Sequence, residues 1–404
     1  MKGVGMIRGL ALAGLASLAL LPFAHAADQP YRIGYLEWSE DPRYRAERTK
    51  AQFPLQPWGR PYAAAEQAIK ETAFAGSALG VKFELDKREG ADAAALADAV
   101  KTMVAAGTQY VIVDADGAVM ADLAKRIASL PVTLFNIAAQ DDALRGASCS
   151  LRVLHVIPNH AMLTDALAQY LVLRRWSKVL VLQGPNSEDA AYAAAWARSA
   201  KRFGIKTVDT RPFKLGLDPR ERELNNLQLL TGSEDYDAVF VADADGEFAR
   251  NVPYQTAKPR VVIGSAGLVA DGWHWSYERD GARQLNNRLV KAADRHVTSY
   301  DWAAWMAVKS VVEAVTRAGS TDYAKSYALL RSPGIVLDGF KGFRMGYRLW
   351  DGQLRQPILL NTGNWAIAVA PIEGFLDPVN NLDTLGFDAK ETACLKTPIA
   401  GARK

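Results

Sequence analysis

The sequence predicts an α/β protein of two Rossmann-like lobes with parallel sheets, and three observations predict it. Strand-like and helix-like segments alternate along most of the chain. The alternation runs once to about residue 150 and then starts again. A length of 404 residues also exceeds what one hydrophobic core usually supports, so two interiors are expected.

In the first run, 31–36 reads as a strand and 61–80 as a helix, with Pro61 near its first turn and Gly80 at its end. Residues 81–86 form a second strand, 92–106 a helix, 110–113 a strand, 118–130 a helix and 132–137 a strand. That rhythm predicts a parallel sheet covered on both faces. The restart falls at 150–157. Helix 159–173, strand 178–182 and Ala-rich helix 188–203 follow. Strand 206–213, helix 219–230, strand 238–241, helix 246–251 and strand 260–263 complete the second run. Residues 266–277 are Gly-, Trp- and Asp-rich and read as irregular. A strong helix over 298–317, capped by Thr298 or Ser299, precedes a shorter one over 323–330. Asp351-Gly352 between the apolar runs 343–350 and 353–360 predicts a hairpin.

The first 26 residues read as a cleaved secretory signal. Lys2 and Arg8 precede an apolar run from Gly9 to Leu21 that is too short to span a bilayer, and Ala24-His25-Ala26 fits a small-x-small cleavage site. The expected compartment is therefore the periplasm. The formal charge of +4 falls further when the two basic signal residues leave, which removes any electrostatic case for nucleic acid. Cys149 and Cys394 are the only cysteines, and an oxidising compartment permits a disulfide between them.

The sequence carries no catalytic signature. Gly-x-Ser-x-Gly, the phosphate loop, His-Glu-x-x-His and Gly-x-Gly-x-x-Gly after the first strand are all missing, so neither an enzyme nor a catalytic cofactor is expected. Asp-Ala-Asp-Gly occurs twice, at 114–117 and 243–246, each time after a strand and before a helix. That edge of an open α/β sheet is where ligands bind, although Asp and Gly are also ordinary turn and cap residues. A calcium loop would need a carboxylate at its twelfth position, counted from Asp114 or Asp243; Lys125 and Tyr254 stand there, so no metal site is assigned.

Recognition chemistry remains. The chain has 10 tryptophans, and several lie where two lobes would close: Trp38 after the first strand, Trp58 before the first long helix, Trp273 and Trp275 in the late loop, and Trp302 at a helix start. Indole faces suit a flat conjugated ligand, although most tryptophans in any protein pack interiors or interfaces. Arg43 and Arg60 each lie close in sequence to an indole, and guanidinium forks bind carboxylates bidentately.

The order of these segments resembles the type I periplasmic binding proteins of the branched-chain amino-acid receptor class. The resemblance rests on the βα order, Trp176-Ser177-Lys178-Val179-Leu180-Val181-Leu182, Tyr300-Asp301 and Leu337-Asp338-Gly339-Phe340-Lys341-Gly342. A narrower resemblance is to the solute-binding component found with alcohol dehydrogenases dependent on pyrroloquinoline quinone (PQQ). It is carried by Gln56-Pro57-Trp58-Gly59-Arg60-Pro61-Tyr62, by 298–305, and by 373–376 with 382–388.

The resemblance implies a three-segment hinge, expected near 149–157, 264–277 and 333–343. The N-terminal lobe would then comprise 27–150 plus 275–336, and the C-terminal lobe 151–274 plus 337–404. It implies a monomer that binds PQQ between closing lobes and serves an ABC permease in the inner membrane. Alternatives are a PQQ chaperone or sensor for a dehydrogenase, or a receptor for another aromatic or amino-acid-like solute. The ligand-binding residues expected are Trp38, Arg43, Trp58, Arg60, Asp114, Asn136, Asp243, Trp273, Trp275 and Trp302. Asp114 stands where amino-acid receptors place small hydroxyl residues, and an unpaired aspartate there would repel a ligand carboxylate.

Overall fold

A computed structural model describes residues 29–45, 58–215 and 218–394. The expected signal at 1–26 lies outside them.

The first sheet has strand order β2-β1-β3-β4-β5, every pair parallel. Its strands are β1 (Gln29–Trp38), β2 (Val81–Gly90), β3 (Tyr110–Asp114), β4 (Thr133–Asn136) and β5 (Val153–His155). In β3 every residue of Tyr-Val-Ile-Val-Asp is buried, the pattern of a strand covered on both faces. Helices α1 (Tyr62–Glu71), α2 (Ala93–Ala105) and α3 (Gly117–Arg126) connect these strands. Asp92 and Asp116 cap α2 and α3 by accepting the amides of Ala95 and Val119, each at 2.8 Å. Helix α1 stops at Glu71, well short of the expected Gly80, because Thr72 turns its hydroxyl back onto the carbonyl of Ala68 at 2.9 Å.

The second sheet has strand order β14-β13-β10-β9-β8-β6-β7. It comprises β6 (Lys178–Gln183), β7 (Lys206–Pro212), β8 (Ala238–Ala242), β9 (Val261–Gly264), β10 (Leu268–Asp271), β13 (Ile358–Thr362) and β14 (Trp365–Ala370). All pairs are parallel except those made by β13, which runs antiparallel to β10 and β14. Helices α4 (His160–Leu173), α5 (Ser187–Arg202), α6 (Leu227–Gly232) and α7 (Val252–Gln255) belong to this lobe.

The remaining helices, α8 (Ala282–Ala293), α9 (Ser299–Ala318) and α10 (Tyr323–Leu330), return to the first lobe. The short pair β11 (Leu337–Asp338) and β12 (Arg344–Met345) follows them. Helix α9 packs against α1 and is buried almost all round. It starts with a capping box between Thr298 and Asp301 and ends on Gly319 in the left-handed region.

The chain passes between lobes at 156–159, at Gly272 and at 355–357, three crossings that lie side by side. Gln356 donates to the carbonyl of Val156 at 2.6 Å, and Gln353 to those of His155 and Ile157 at 3.1 Å. A Cβ on Gly272 would sit 3.0 Å from Pro158 Cδ, so the second crossing needs glycine to pass the first.

Two expected boundaries move. Residues 153–155 belong to the first sheet, so the first crossing comes later than 150. Residues 337–354 also stay with the first lobe, where Leu337, Met345, Tyr347 and Leu354 join its core. The physical reason is the Asp351-Gly352 turn, which lays Gln353 beside His155 in a parallel bridge before the chain departs. The third crossing is therefore at 355–357 and not at 333–343. Cys149 and Cys394 are paired as a disulfide, with Cα atoms 5.3 Å apart.

Candidate ligand site at the strand ends

Glu37 and Asp114 stand opposite each other in register at the carboxyl ends of β1 and β3. Asp114 is fully buried. A short turn at Pro42–Tyr44 follows β1, started by Asp41, which accepts the Arg43 amide at 2.9 Å. The turn aims two side chains back at β3. Arg43 Nη2 donates to Asp114 Oδ1 at 2.7 Å, and the Tyr44 hydroxyl donates to Asp114 Oδ2 at 3.0 Å. Arg43 also pairs with Asp41. Arg60 approaches from the start of α1, with Nη1 3.4 Å from Asp114 Oδ2 and Nη2 donating to the Trp38 carbonyl at 2.8 Å.

Aromatic rings close around these cations. The Arg60 guanidinium lies 4.3 Å from the Tyr44 ring centroid, and that of Arg43 lies 5.0 Å from Tyr300. Trp58 stacks on Tyr44 at 6.3 Å and meets Tyr300 edge-on at 6.0 Å. Beneath them Arg295 forms a bidentate pair with Asp301, both contacts 2.6 Å, and donates to the Arg60 carbonyl at 3.0 Å. The base of α9 thereby fixes the loop that carries Trp58 and Arg60.

Burial alone would lower the pKa of Arg43, but Tyr44, Asp114 and Asp41 around it hold it well above the usual value. Burial, and then Asp114, raise the Tyr44 phenol, so it stays a neutral donor. Glu37 is raised by burial against the opposing pull of Lys87 and Arg60. Three buried polar atoms here have no hydrogen-bond partner among the described residues: Arg43 Nη1, Glu37 Oε1 and the Tyr35 hydroxyl.

A second group lies along the crossings. The His160 ring, at the start of α4, rests 5.2 Å from Tyr192 of α5. Asp142 accepts from Asn159 at 2.7 Å and from the Ala161 amide at 3.0 Å, and burial raises its pKa. Asp271 accepts from Asn361 at 2.8 Å and lies 3.5 Å from the Ser299 hydroxyl; burial raises it too. Burial lowers His160, while Asp142 and Asp141 oppose the shift.

Of the ten expected site residues, the structure brings Trp38, Arg43, Trp58, Arg60 and Asp114 into one cluster. Trp38 contributes its carbonyl; its indole donates away, to Ala91, at 2.8 Å. Tyr44 and Tyr300 complete the cluster and were not anticipated. Tyr44 lies beside Arg43 between Trp38 and Trp58, and Tyr300 belongs to the Tyr300-Asp301 motif, so both were within reach.

The others lie elsewhere. Asn136 is buried and shapes its own turn, accepting the amides of Ala138 and Ala139 at 3.1 and 2.8 Å. Asp243 accepts the Ala249 amide at 2.8 Å and holds the loop after β8. Trp302 and Trp273 stack on each other at 6.1 Å inside the first lobe's core. Their ring N–H groups are already used, by the Gly339 carbonyl and by Asn286, each at 2.9 Å. The expectation that these two indoles face the cleft is thus corrected: α9 turns Trp302 inward. Trp275 stacks on His296 at 4.4 Å. Among the described residues, no group of three or more His, Cys, Asp or Glu is placed to hold a metal ion, and no helix is long and apolar enough to cross a membrane.

A family model described as periplasmic binding protein matches residues 54–250. Solved structures match over nearly their whole length. A branched-chain amino-acid ABC transporter periplasmic ligand-binding protein from Burkholderia xenovorans has a TM-score of 0.68 at 14% identity, covering 90% of this chain and 99% of that one.

The fold is that of a type I periplasmic binding protein.

The same type I fold is seen in the closed leucine-, isoleucine-, valine-, threonine- and alanine-binding protein from Brucella ovis, with TM-score 0.65, 15% identity, and 92% and 97% of the chains covered. The isoleucine complex of LivJ from Streptococcus pneumoniae gives 0.63 at 14%, with 84% and 99% covered. No curated protein matches the sequence.

Proposed function

We propose that the chain is the periplasmic solute-binding component of an ABC importer. It captures a small molecule between its lobes as they close about the three crossings, and hands it to an inner-membrane permease. It performs no chemistry on the solute. The solved structures of this fold are named as transporter binding proteins, which supports the reading.

For the ligand we infer a flat aromatic acid, with PQQ the leading candidate. The observation that carries this is the Arg43, Tyr44, Trp58, Arg60 and Tyr300 cluster at the strand ends. Rings supply stacking area, and Arg43 Nη1 is a buried donor with no acceptor among the described residues. Asp114 does not oppose an anion, because Arg43, Arg60 and Tyr44 already compensate it. Titration calorimetry with PQQ, alongside tryptophan fluorescence, tests the reading. Saturable heat at micromolar ligand supports it, and no heat with no quenching ends it. Capture of the permease, and not of a dehydrogenase, separates the importer from a cofactor chaperone.

One observation favours an amino-acid-like solute instead. Asp271 is a partly buried acid that forms no ion pair among the described residues, and the partly buried Asp142 feels only the neighbouring His160, Arg145 and Arg198 charges, an arrangement that suits a ligand ammonium. Heat with leucine or isoleucine and none with PQQ would select this second reading.

A further inference from the structure

The segment after β14 has a topology of its own. It leaves the second lobe at Ala370 and ends, among the described residues, at Cys394, which is bonded to Cys149 on the loop before β5 of the first lobe. The tail is therefore covalently attached to the second lobe at one end and to the first at the other. Three crossings join the lobes of the main fold; this is a fourth connection.

The tail is also fastened to both lobes along its length. On the second-lobe side, Gly386 is gripped from both directions. Its carbonyl accepts from Arg198 at 2.7 Å and Arg202 at 2.6 Å, while its amide donates to the buried Asp165 at 2.8 Å. Arg198 also pairs with Glu391 at 2.9 Å and covers Phe387 at 4.7 Å. On the first-lobe side, the fully buried Arg348 donates to Asp383 at 2.8 Å and to the carbonyls of Leu382 and Leu385 at 2.9 and 2.7 Å. Trp350 donates to the Phe387 carbonyl at 3.0 Å. Thr392 donates at 2.7 Å to the carbonyl of Arg145, whose guanidinium itself reaches Gln353 and the Ile157 carbonyl at the crossings.

We propose that residues 382–394 form a disulfide-locked strap that holds the angle between the lobes. A change in that angle has to break one of the two sets of contacts, because α4 and α5 move with the second sheet while Arg348, Trp350 and Arg145 move with the first. The strap therefore favours the lobe angle seen here before any solute arrives. The disulfide keeps the fastened tail from peeling away, since its far end has no freedom to leave.

The test needs no ligand. Small-angle scattering and amide hydrogen exchange are compared for the oxidised protein and for Cys149→Ser/Cys394→Ser. The strap predicts a larger radius of gyration in the serine variant and exchange at 156–159 and 355–357 faster by about tenfold, with a single cooperative unfolding transition retained. An unchanged radius with faster exchange confined to 382–394 overturns it, because the tail would then loosen without releasing the lobes. Should the variant not fold, the wild-type protein reduced with dithiothreitol after folding supplies the same comparison and the same two outcomes.

Discussion

Replacing Asp301 with alanine removes the support beneath the candidate site, and its cost follows from the contacts. The Asp301 and Arg295 side chains are 2% and 4% exposed, and Arg295 holds the carboxylate through two bonds of 2.6 Å. Asp301 also accepts the Thr298 amide at 2.9 Å, closing the capping box of α9. Truncation leaves a buried guanidinium with only the carbonyls of Arg60 and His296. An uncompensated buried charge costs about 3–5 kcal/mol. The lost cap adds roughly 1 kcal/mol. The sum, about 4–6 kcal/mol, is a large part of the stability of an ordinary domain. Urea unfolding followed by tryptophan fluorescence measures it as a shift in midpoint at constant slope. The double variant Arg295→Met/Asp301→Ala removes both charges and recovers most of the loss, leaving about 1–2 kcal/mol. A single variant costing under about 1 kcal/mol, or a double variant as costly as the two singles summed, refutes the argument.

Other outcomes follow from the same contacts. Arg43→Gln raises the dissociation constant for a carboxylate-bearing aromatic solute by roughly 10–100-fold, the worth of a charge-assisted hydrogen bond; calorimetry showing less than a twofold change removes Arg43 from the site. Trp302→Phe lowers stability by about 1 kcal/mol through the unpaired Gly339 carbonyl and leaves solute affinity unchanged; a matching loss of affinity would return Trp302 to the site. Lys341 is fully buried, donates to Gln356 at 2.8 Å and lies 3.5 Å from the Trp302 ring centroid; burial pushes its pKa well below the usual lysine range. The folded state thus binds this proton more weakly than the unfolded chain does. Its contribution to stability is fullest above the unfolded lysine value of about 10.4 and is lost as pH falls through it. Wild-type melting temperature therefore rises relative to Lys341→Met between pH 7 and 10, and a constant difference across that range contradicts the assignment.

The alternating pattern was legible because strands covered on both faces, such as 110–114 and 238–242, are continuous apolar runs with turn residues at their ends. Three elements were not anticipated. Helix α8 presents only Ala282, Leu285, Asn286 and Leu289 to the interior, a narrow stripe in a polar segment. Strand β10 is four residues long and follows β9 after a tight turn at Gly267, where a Cβ would lie 2.2 Å from the Val262 carbonyl. Strand β14 exposes Trp365 and Ile367, an edge pattern without a buried run. The site was half legible for a related reason. Tryptophan marks a core as readily as a ligand surface, and only periodicity separates them. Trp302 and Trp305 lie on a helix apolar on nearly every face, which is the signature of an interior helix. Arg43 and Arg60 could be picked by their nearness to indoles, but their shared partner Asp114 is distant in sequence, so its neutralisation required the fold.

The crossings also impose an order on synthesis. The first lobe begins at β1, yet the helix that covers one face of its sheet, α9, spans 299–318. A ribosome must deliver five of the second lobe's seven strands before that face is sealed, so the lobe that starts first cannot close its core until most of the other has emerged. During that interval the apolar side of β1 and β3 stands open in the nascent chain, which marks this half as the natural client of chaperones that shield unfinished sheets.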